Sequence, residues 1–87
     1  MKKVTMFIQA SCPYCREALR WMEEVLAENA AYGLLEVEVI DELVRPDIAK
    51  KRDYYYVPTY YVGDKKLHEG TASKDKVRRV FETAMRD

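Results

Sequence analysis

The chain has 87 residues, of which 15 are lysine or arginine and 15 are aspartate or glutamate, so its formal net charge is zero. This length predicts a single domain, residues 1–87, and the 48% hydrophobic content is typical of a globular protein and not of a disordered one. A neutral balance lacks the basic patch that nucleic acid or an anionic membrane would require, so neither is an expected partner.

The first part of the chain predicts a strand, a helix and a second strand. Residues 3–8 are nearly continuous in apolar side chains, which is typical of a strand buried on both faces. Pro13 stands where a helix can begin, and apolar residues recur at helical spacing over residues 14–29, with Gly33 as punctuation after the helix. Residues 35–39 alternate apolar side chains with glutamates, which predicts a strand with one buried face.

The second part predicts a short helix, a hairpin and a last helix. Pro46 opens a helix that runs to about residue 52. Residues 56–62 are rich in aromatic and β-branched side chains, which predicts a strand, and Gly63-Asp64 predicts a tight turn into a strand at about residues 66–69. The last helix covers about residues 74–85 and would bury one apolar face.

The resulting element order is β-α-β-α-β-β-α. A right-handed crossover makes the first two strands parallel, and the hairpin makes the last two antiparallel. We therefore expect an α/β fold in which a four-stranded mixed sheet is flanked by three helices.

Cys12-Pro13-Tyr14-Cys15 contains the only two cysteines of the chain. The apolar run at the amino terminus is too short for a secretion signal or a membrane span, so a cytoplasmic location is expected, where a CxxC pair is more often catalytic or metal-binding than structural. Cys12 is predicted just before the first turn of a helix, where free N–H groups and the helix dipole favour a thiolate. Cys12 would then attack a disulfide, and Cys15, facing inward, would resolve the mixed disulfide.

Two metal-binding functions are alternatives to this redox function. A zinc ion needs four ligands, and His68 is the only other soft candidate, so no metal site within one chain is expected. An iron–sulfur cluster bridged between two chains and completed by external thiols is the less favoured alternative, since Pro13 tends to rigidify the loop.

Cys12-Pro13-Tyr14-Cys15 at the first strand-to-helix turn resembles the active site of dithiol glutaredoxins, within the thioredoxin-fold superfamily, and the resemblance covers essentially the whole chain. It implies a thioredoxin/glutaredoxin fold and a thiol–disulfide oxidoreductase that reduces protein or small-molecule disulfides. It also implies a cis bond before Pro58, pairing of the Val57 backbone with substrate, and contact of Tyr14 with the bound thiol. Gly70-Thr71 takes the place of the segment that grips the glutamyl end of glutathione.

Other side chains near these motifs have two interpretations each. The tyrosines at 54–56 and 60–61 either pack in the sheet or, with Tyr56 foremost, wall the groove around Cys12. Asp41-Glu42 is either a solvated pair or contains a group that accepts protons during disulfide exchange. Arg45 is either solvated or reaches a substrate carboxylate.

The chain also departs from the family pattern. Gln9 stands where glutaredoxins usually carry a lysine that helps bind glutathione, and the segment after Gly70 is more similar to thioredoxins, although their tryptophan is replaced by Ser11 and their buried aspartate by Met6. The reductant therefore stays open between glutathione, another thiol and a flavin disulfide reductase, with no bound cofactor. The alternative is a dedicated protein electron donor, for example to ribonucleotide reductase, not recycled by glutathione. A monomer is expected.

Overall fold

All residues from 1 to 87 are described in a computed structural model, and they form four strands, three α-helices and one short 3-10 helix. The order predicted from the sequence, β-α-β-α-β-β-α, is confirmed. The elements are β1 (Val4–Ile8), α1 (Pro13–Glu28), the 3-10 helix (Ala30–Leu34), β2 (Val37–Asp41), α2 (Pro46–Ala49), β3 (Thr59–Val62), β4 (Lys65–Glu69) and α3 (Lys74–Arg86).

The four strands form one mixed sheet in the order β2-β1-β3-β4. Strand β1 pairs parallel with β2 and antiparallel with β3, and β3 pairs antiparallel with β4, as predicted. All five residues of β1 are buried, because this strand has a neighbour on each side and helices on both faces. The carboxyl end of β1 therefore delivers the following segment, which contains both cysteines, to one end of the sheet.

The core lies on both faces of the sheet, because successive side chains of a strand point in opposite directions. Met6 faces α1 and α3, where 15 buried residues form the main cluster. Phe7 faces α2 and forms a smaller cluster with Ile40 and Tyr61. The main cluster consists of Val4, Met6, Ile8, Cys15, Ala18, Met22, Val25, Tyr32, Leu35, Tyr60, Val62, Val77, Val80, Phe81 and Ala84.

Helices α1 and α3 cover the main cluster side by side. The inner face predicted for the last helix is confirmed, since Val77, Val80, Phe81 and Ala84 are all buried. Ser73 caps α3 by accepting a hydrogen bond from the Lys76 N–H at 3.2 Å. Ion pairs tie the two helices together outside the core: Lys74 to Glu24 at 2.9 Å and Arg78 to Glu28 at 2.8 Å.

Several boundaries differ from the prediction, and β2 is Val37–Asp41 instead of residues 35–39. Strand β3 begins at Thr59 and not at residue 56, because Pro58 has no N–H to donate to a sheet ladder. Helix α2 ends at Ala49, short of residue 52. Gly33 lies within the 3-10 helix instead of ending α1.

The inward face predicted for residues 35–39 is confirmed only in part, since Leu35 is buried and Val37 packs against the main cluster. Val39 is 41% exposed, and the buried residue of this strand is Ile40. The physical reason is that β2 is an edge strand, and α3 packs over β1, β3 and β4. None of the helices has the length and apolar character that a membrane span would need.

Candidate active site

The two cysteines lie at the amino-terminal end of α1 and differ in accessibility. Cys12 is the N-cap residue and Pro13 the first helical residue, where its missing N–H leaves no hydrogen bond unmade. The Cys12 N–H donates to the Gln9 carbonyl at 2.9 Å, which closes the turn after β1. Cys12 is half-buried, whereas Cys15 is fully buried. A disulfide of another molecule can therefore reach the sulfur of Cys12 far more readily than that of Cys15.

The two thiols at the start of α1 also differ in pKa. The pKa of Cys12 is lowered from its ordinary 9.0, first because the Cys15 backbone N–H donates to its sulfur, and further by the Cys15 thiol, the Tyr14 N–H and the charge of Arg16. Burial raises the pKa of Cys15 to about 11, although its sulfur accepts the Gln9 N–H at 3.5 Å. The accessible sulfur is thus the one that forms a thiolate more easily.

This difference predicts the order in which the thiols are alkylated. In the reduced, folded protein at neutral pH, iodoacetamide is expected to modify Cys12 and to leave Cys15 unmodified, because only the thiolate of an accessible cysteine reacts. Labelling of Cys12 falls as the pH drops below its lowered pKa, and Cys15 becomes reactive only as the pH nears about 11. Mass spectrometry of quenched samples over a pH series measures both; equal labelling at neutral pH would contradict the assignment.

The loop before β3 lies beside the cysteines. The expected cis bond between Val57 and Pro58 is present, Pro58 is buried, and Cys12 and Val57 pack against the same main cluster. The Gly70 N–H donates to the Pro58 carbonyl at 2.9 Å, and φ of Gly70 is 88°, a value that favours glycine. The structure therefore brings the cysteine turn, the proline loop and Gly70 to one end of the sheet.

Glu69 contacts the loop before β3, and His68 contacts the Gly70-Thr71 loop after β4. One carboxylate oxygen of Glu69 accepts the backbone N–H groups of Tyr55 at 2.5 Å and Tyr56 at 2.9 Å. The other oxygen pairs with Lys66 at 2.7 Å, and this pair, together with the two N–H groups, lowers the pKa of Glu69 to about 2. His68 Nε2 lies 2.9 Å from the Gly70 carbonyl oxygen and 3.0 Å from that of Thr71, so it must carry a proton to donate to them.

Of the tyrosines at 54–56 and 60–61, some pack in the sheet and others are exposed. Tyr60 and Tyr61 are buried in the sheet, and Tyr54 stacks on Phe7 with ring centroids 4.9 Å apart, so sheet packing accounts for these three. Tyr56 is 70% exposed next to the Val57-Pro58 bond, and Tyr55 is also exposed. Tyr14 is likewise 57% exposed in the turn after Cys12.

The acidic pair after β2 is held by hydrogen bonds and is not freely solvated. Glu42 accepts the side-chain amide of Gln9 on one oxygen and the Tyr54 hydroxyl on the other, at 2.7 Å. Asp41 accepts the Leu43 N–H at 2.9 Å and the Ala10 N–H at 3.2 Å. The negative charge of Glu42 contributes to the raised pKa of Cys15.

Arg45 and a metal site are the remaining candidates from the sequence. The Arg45 guanidinium donates to both oxygens of Asp47, at 3.0 and 3.1 Å, so it is engaged within the chain. No group of three or more histidine, cysteine, aspartate or glutamate side chains is arranged to hold a metal ion.

Sequence reasoning missed the hydrogen bonds that join Gln9, Glu42 and Tyr54, and the contact of His68 with the Gly70 loop. The signal for the hydrogen bonds of Glu42 was its position at the same end of the sheet as the cysteines. Its partners could not be read from the chain, because Gln9 and Glu42 are 33 positions apart.

The fold and the paired cysteines define a protein of the thioredoxin-fold class. A family model described as a thioredoxin domain matches residues 2–82, and the chain belongs to this family. Among solved structures, the chain is similar to an uncharacterized thioredoxin-like protein from Clostridium perfringens, with a TM-score of 0.70 and 25% identity, over 97% of this chain and 71% of that one. No curated protein matches the chain.

Proposed function

We propose that this protein is a glutaredoxin-like thiol–disulfide oxidoreductase with a dithiol mechanism. The observation that supports it most is the asymmetry of the cysteines: Cys12 is accessible and has a lowered pKa, whereas Cys15 is buried and has a pKa of about 11. An attacking thiol has to be reached and ionised, whereas a resolving thiol need only reach the sulfur beside it. Membership of the thioredoxin domain family agrees with a redox function.

The reaction has two exchange steps. The Cys12 thiolate attacks one sulfur of a substrate disulfide, a bond forms between them, and the other substrate sulfur leaves as a thiolate that takes up a proton. The Cys15 sulfur, after losing its proton, then attacks Cys12, and the substrate leaves as its second thiol. The substrate gains two electrons and two protons, and the protein is left with a Cys12–Cys15 disulfide.

Substrate is proposed to bind on the surface formed by the cysteine turn and the two loops beside it. Tyr14, in the first turn of α1, and Tyr56, next to the Val57-Pro58 bond, are exposed and would contact the substrate. The Val57 backbone before Pro58 would pair with an extended segment of the substrate, and Gly70-Thr71 would close the far side. The hydrogen bonds that Glu69 and His68 make to these loops support this assignment, because loops that are already ordered lose little entropy on binding.

A dedicated protein electron donor is the second candidate. The observation in its favour is that the side chain of Gln9, at the position where glutaredoxins usually place a glutathione-binding lysine, donates to Glu42. Gln9 therefore offers no positive charge to a glutathione carboxylate, and its amide group is oriented by Glu42. The reductant would then be a flavin disulfide reductase, and the oxidant a protein such as ribonucleotide reductase.

Two coupled assays test the function and separate the candidates. Hydroxyethyl disulfide is reduced with glutathione and glutathione reductase in one assay, and with a thioredoxin reductase in the other. We expect turnover that requires Cys12 in at least one of them; turnover only with thioredoxin reductase supports the dedicated donor, and brisk turnover with glutathione opposes it. No reduction of any disulfide in either assay would refute the proposed function.

A Gln9→Lys variant sharpens this comparison. If the missing charge is what limits glutathione, the variant is expected to lower KM for glutathione and to leave the thioredoxin-reductase assay unchanged, because a lysine ammonium can pair with a carboxylate. Gln9→Met is the matched control, since it removes the amide without adding charge. An equal effect of both variants on KM would show that the contact with Glu42, and not the charge, matters.

The remaining parts of the proposal concern setting and partners. We propose a monomer that works in the cytoplasm on protein or small-molecule disulfides, with no bound cofactor and with neither nucleic acid nor membrane as partner. A bridged iron–sulfur cluster is the less favoured alternative. Anaerobic reconstitution that yields a coloured dimer would favour it, and a colourless monomer would eliminate it.

A further inference from the structure

Tyr60 carries a buried hydroxyl group that has no role in the two exchange steps. It is the largest fully buried side chain of the protein, and its hydroxyl has no hydrogen-bond partner. The comparison with two neighbouring tyrosines makes this unusual: the Tyr61 hydroxyl donates to the Asp53 carbonyl at 2.8 Å, and that of Tyr54 donates to Glu42. An unpaired buried hydroxyl costs free energy, and such a group in a folded protein calls for an explanation.

The position of Tyr60 connects it with the buried cysteine. Tyr60 lies opposite Met6 in the β1–β3 ladder and on the same face of the sheet, so its ring belongs to the main cluster that also contains Cys15. Gln9, whose N–H donates to the Cys15 sulfur, follows directly after β1. Burial, and to a lesser degree the charge of Cys15, raises the pKa of Tyr60, so the hydroxyl keeps its proton at neutral pH.

The Cys15 sulfur needs more stabilisation than its present contacts supply. To resolve a mixed disulfide it must become a thiolate inside the protein, and a buried anion is costly unless hydrogen bonds compensate it. Its one backbone donor is the Gln9 N–H at 3.5 Å. Of the other ionisable groups that face it, Glu42 disfavours the negative charge throughout, and Cys12 does so only while it is a free thiolate.

We propose that the Tyr60 hydroxyl donates a hydrogen bond to the Cys15 sulfur as that sulfur becomes a thiolate. The inference rests on the proposed function for its role in the cycle. As the Cys15–Cys12 bond forms and the bond from Cys12 to the substrate sulfur breaks, the leaving sulfur takes the electron pair and a proton that balances the one lost by Cys15. Tyr60 keeps its own proton throughout and stabilises the charge before bond formation.

Tyr60→Phe tests this directly, because it removes the hydroxyl and keeps the ring. In a Cys12→Ser background, the acidity of Cys15 is followed by NMR of its β-carbon over a pH series, a readout that requires no turnover. Loss of a hydrogen bond to the thiolate is expected to weaken this acidity about tenfold or more. In the protein with both cysteines, resolution of a preformed mixed disulfide on Cys12 is expected to slow by a similar factor.

Tyr61→Phe is the matched control, since its hydroxyl bonds to Asp53 and its ring lies in the smaller cluster on the other face. It is expected to leave the acidity of Cys15 unchanged. Tyr60→Phe with an unchanged Cys15 acidity and a raised melting temperature would overturn the proposal, because the hydroxyl would then only have destabilised the core. An inactive protein that still shows the effect of Tyr60→Phe on Cys15 would refute the proposed function and retain the hydrogen bond.

Discussion

Cys12→Ser is expected to abolish disulfide reduction, whereas Cys15→Ser is expected to leave the substrate trapped on Cys12. The first variant removes the accessible sulfur whose pKa is lowered, and the buried Cys15 cannot replace it because it is fully enclosed and has a pKa of about 11. The second variant keeps the attack but removes the thiol that completes it. Activity assays and intact-mass measurement of the adduct report the two outcomes.

The two variants control for each other, because each removes one sulfur from the same turn. Both are expected to fold, since serine is close to cysteine in size. An adduct on Cys15 in the Cys12→Ser variant, or activity of Cys12→Ser equal to that of the parent, would contradict the roles assigned here. Release of the adduct from Cys15→Ser by added glutathione would indicate that a second thiol molecule can resolve the intermediate.

Phe81→Ala is expected to lower the free energy of unfolding by about 3–5 kcal/mol, the usual cost of removing a buried aromatic ring. Phe81 is fully buried on the inner face of α3, and its ring lies 5.8 Å from that of Tyr32. The loss is large because small domains have roughly 5–15 kcal/mol of stability in total. Urea denaturation followed by circular dichroism measures it.

Leu34→Ala provides the control for this prediction. Leu34 is 70% exposed in the 3-10 helix, and its truncation is expected to change the free energy of unfolding by less than about 0.5 kcal/mol. Equal effects of the two variants would mean that the packing of α3 on the sheet contributes far less than its burial implies.

Local signals in the sequence predicted those elements whose environment is uniform along their length. The nearly continuous apolar run of β1 predicted burial on both faces, and the helical spacing of α3 identified its inner face. The alternation in β2 did not reveal that Val39 is exposed, because burial of an edge strand depends on which helices reach it. Likewise, the composition before Pro58 favoured a strand, but the missing N–H of proline delays β3 to Thr59.

The features of the candidate site also fall into two groups, those carried by short motifs and those that depend on the finished fold. The cysteines and the Val57-Pro58 bond are short motifs, and their resemblance to the family implied that they would lie side by side. The other features of the site are side-chain hydrogen bonds, such as those of Gln9 with Glu42, 33 positions apart, and of His68 with the Gly70 loop. Such contacts depend on side-chain directions in the finished fold, which composition and periodicity do not specify.

The hydrogen bonds at the start of α1 also bear on the redox equilibrium of the protein. The Cys15 and Tyr14 N–H groups favour a negative charge on Cys12, and this charge exists only in the dithiol form. Stabilising the reduced form makes the oxidised pair a stronger oxidant. The contribution is present where Cys12 is ionised and disappears as the pH falls below its pKa, so the driving force for accepting electrons relative to an ordinary dithiol is expected to weaken in acid.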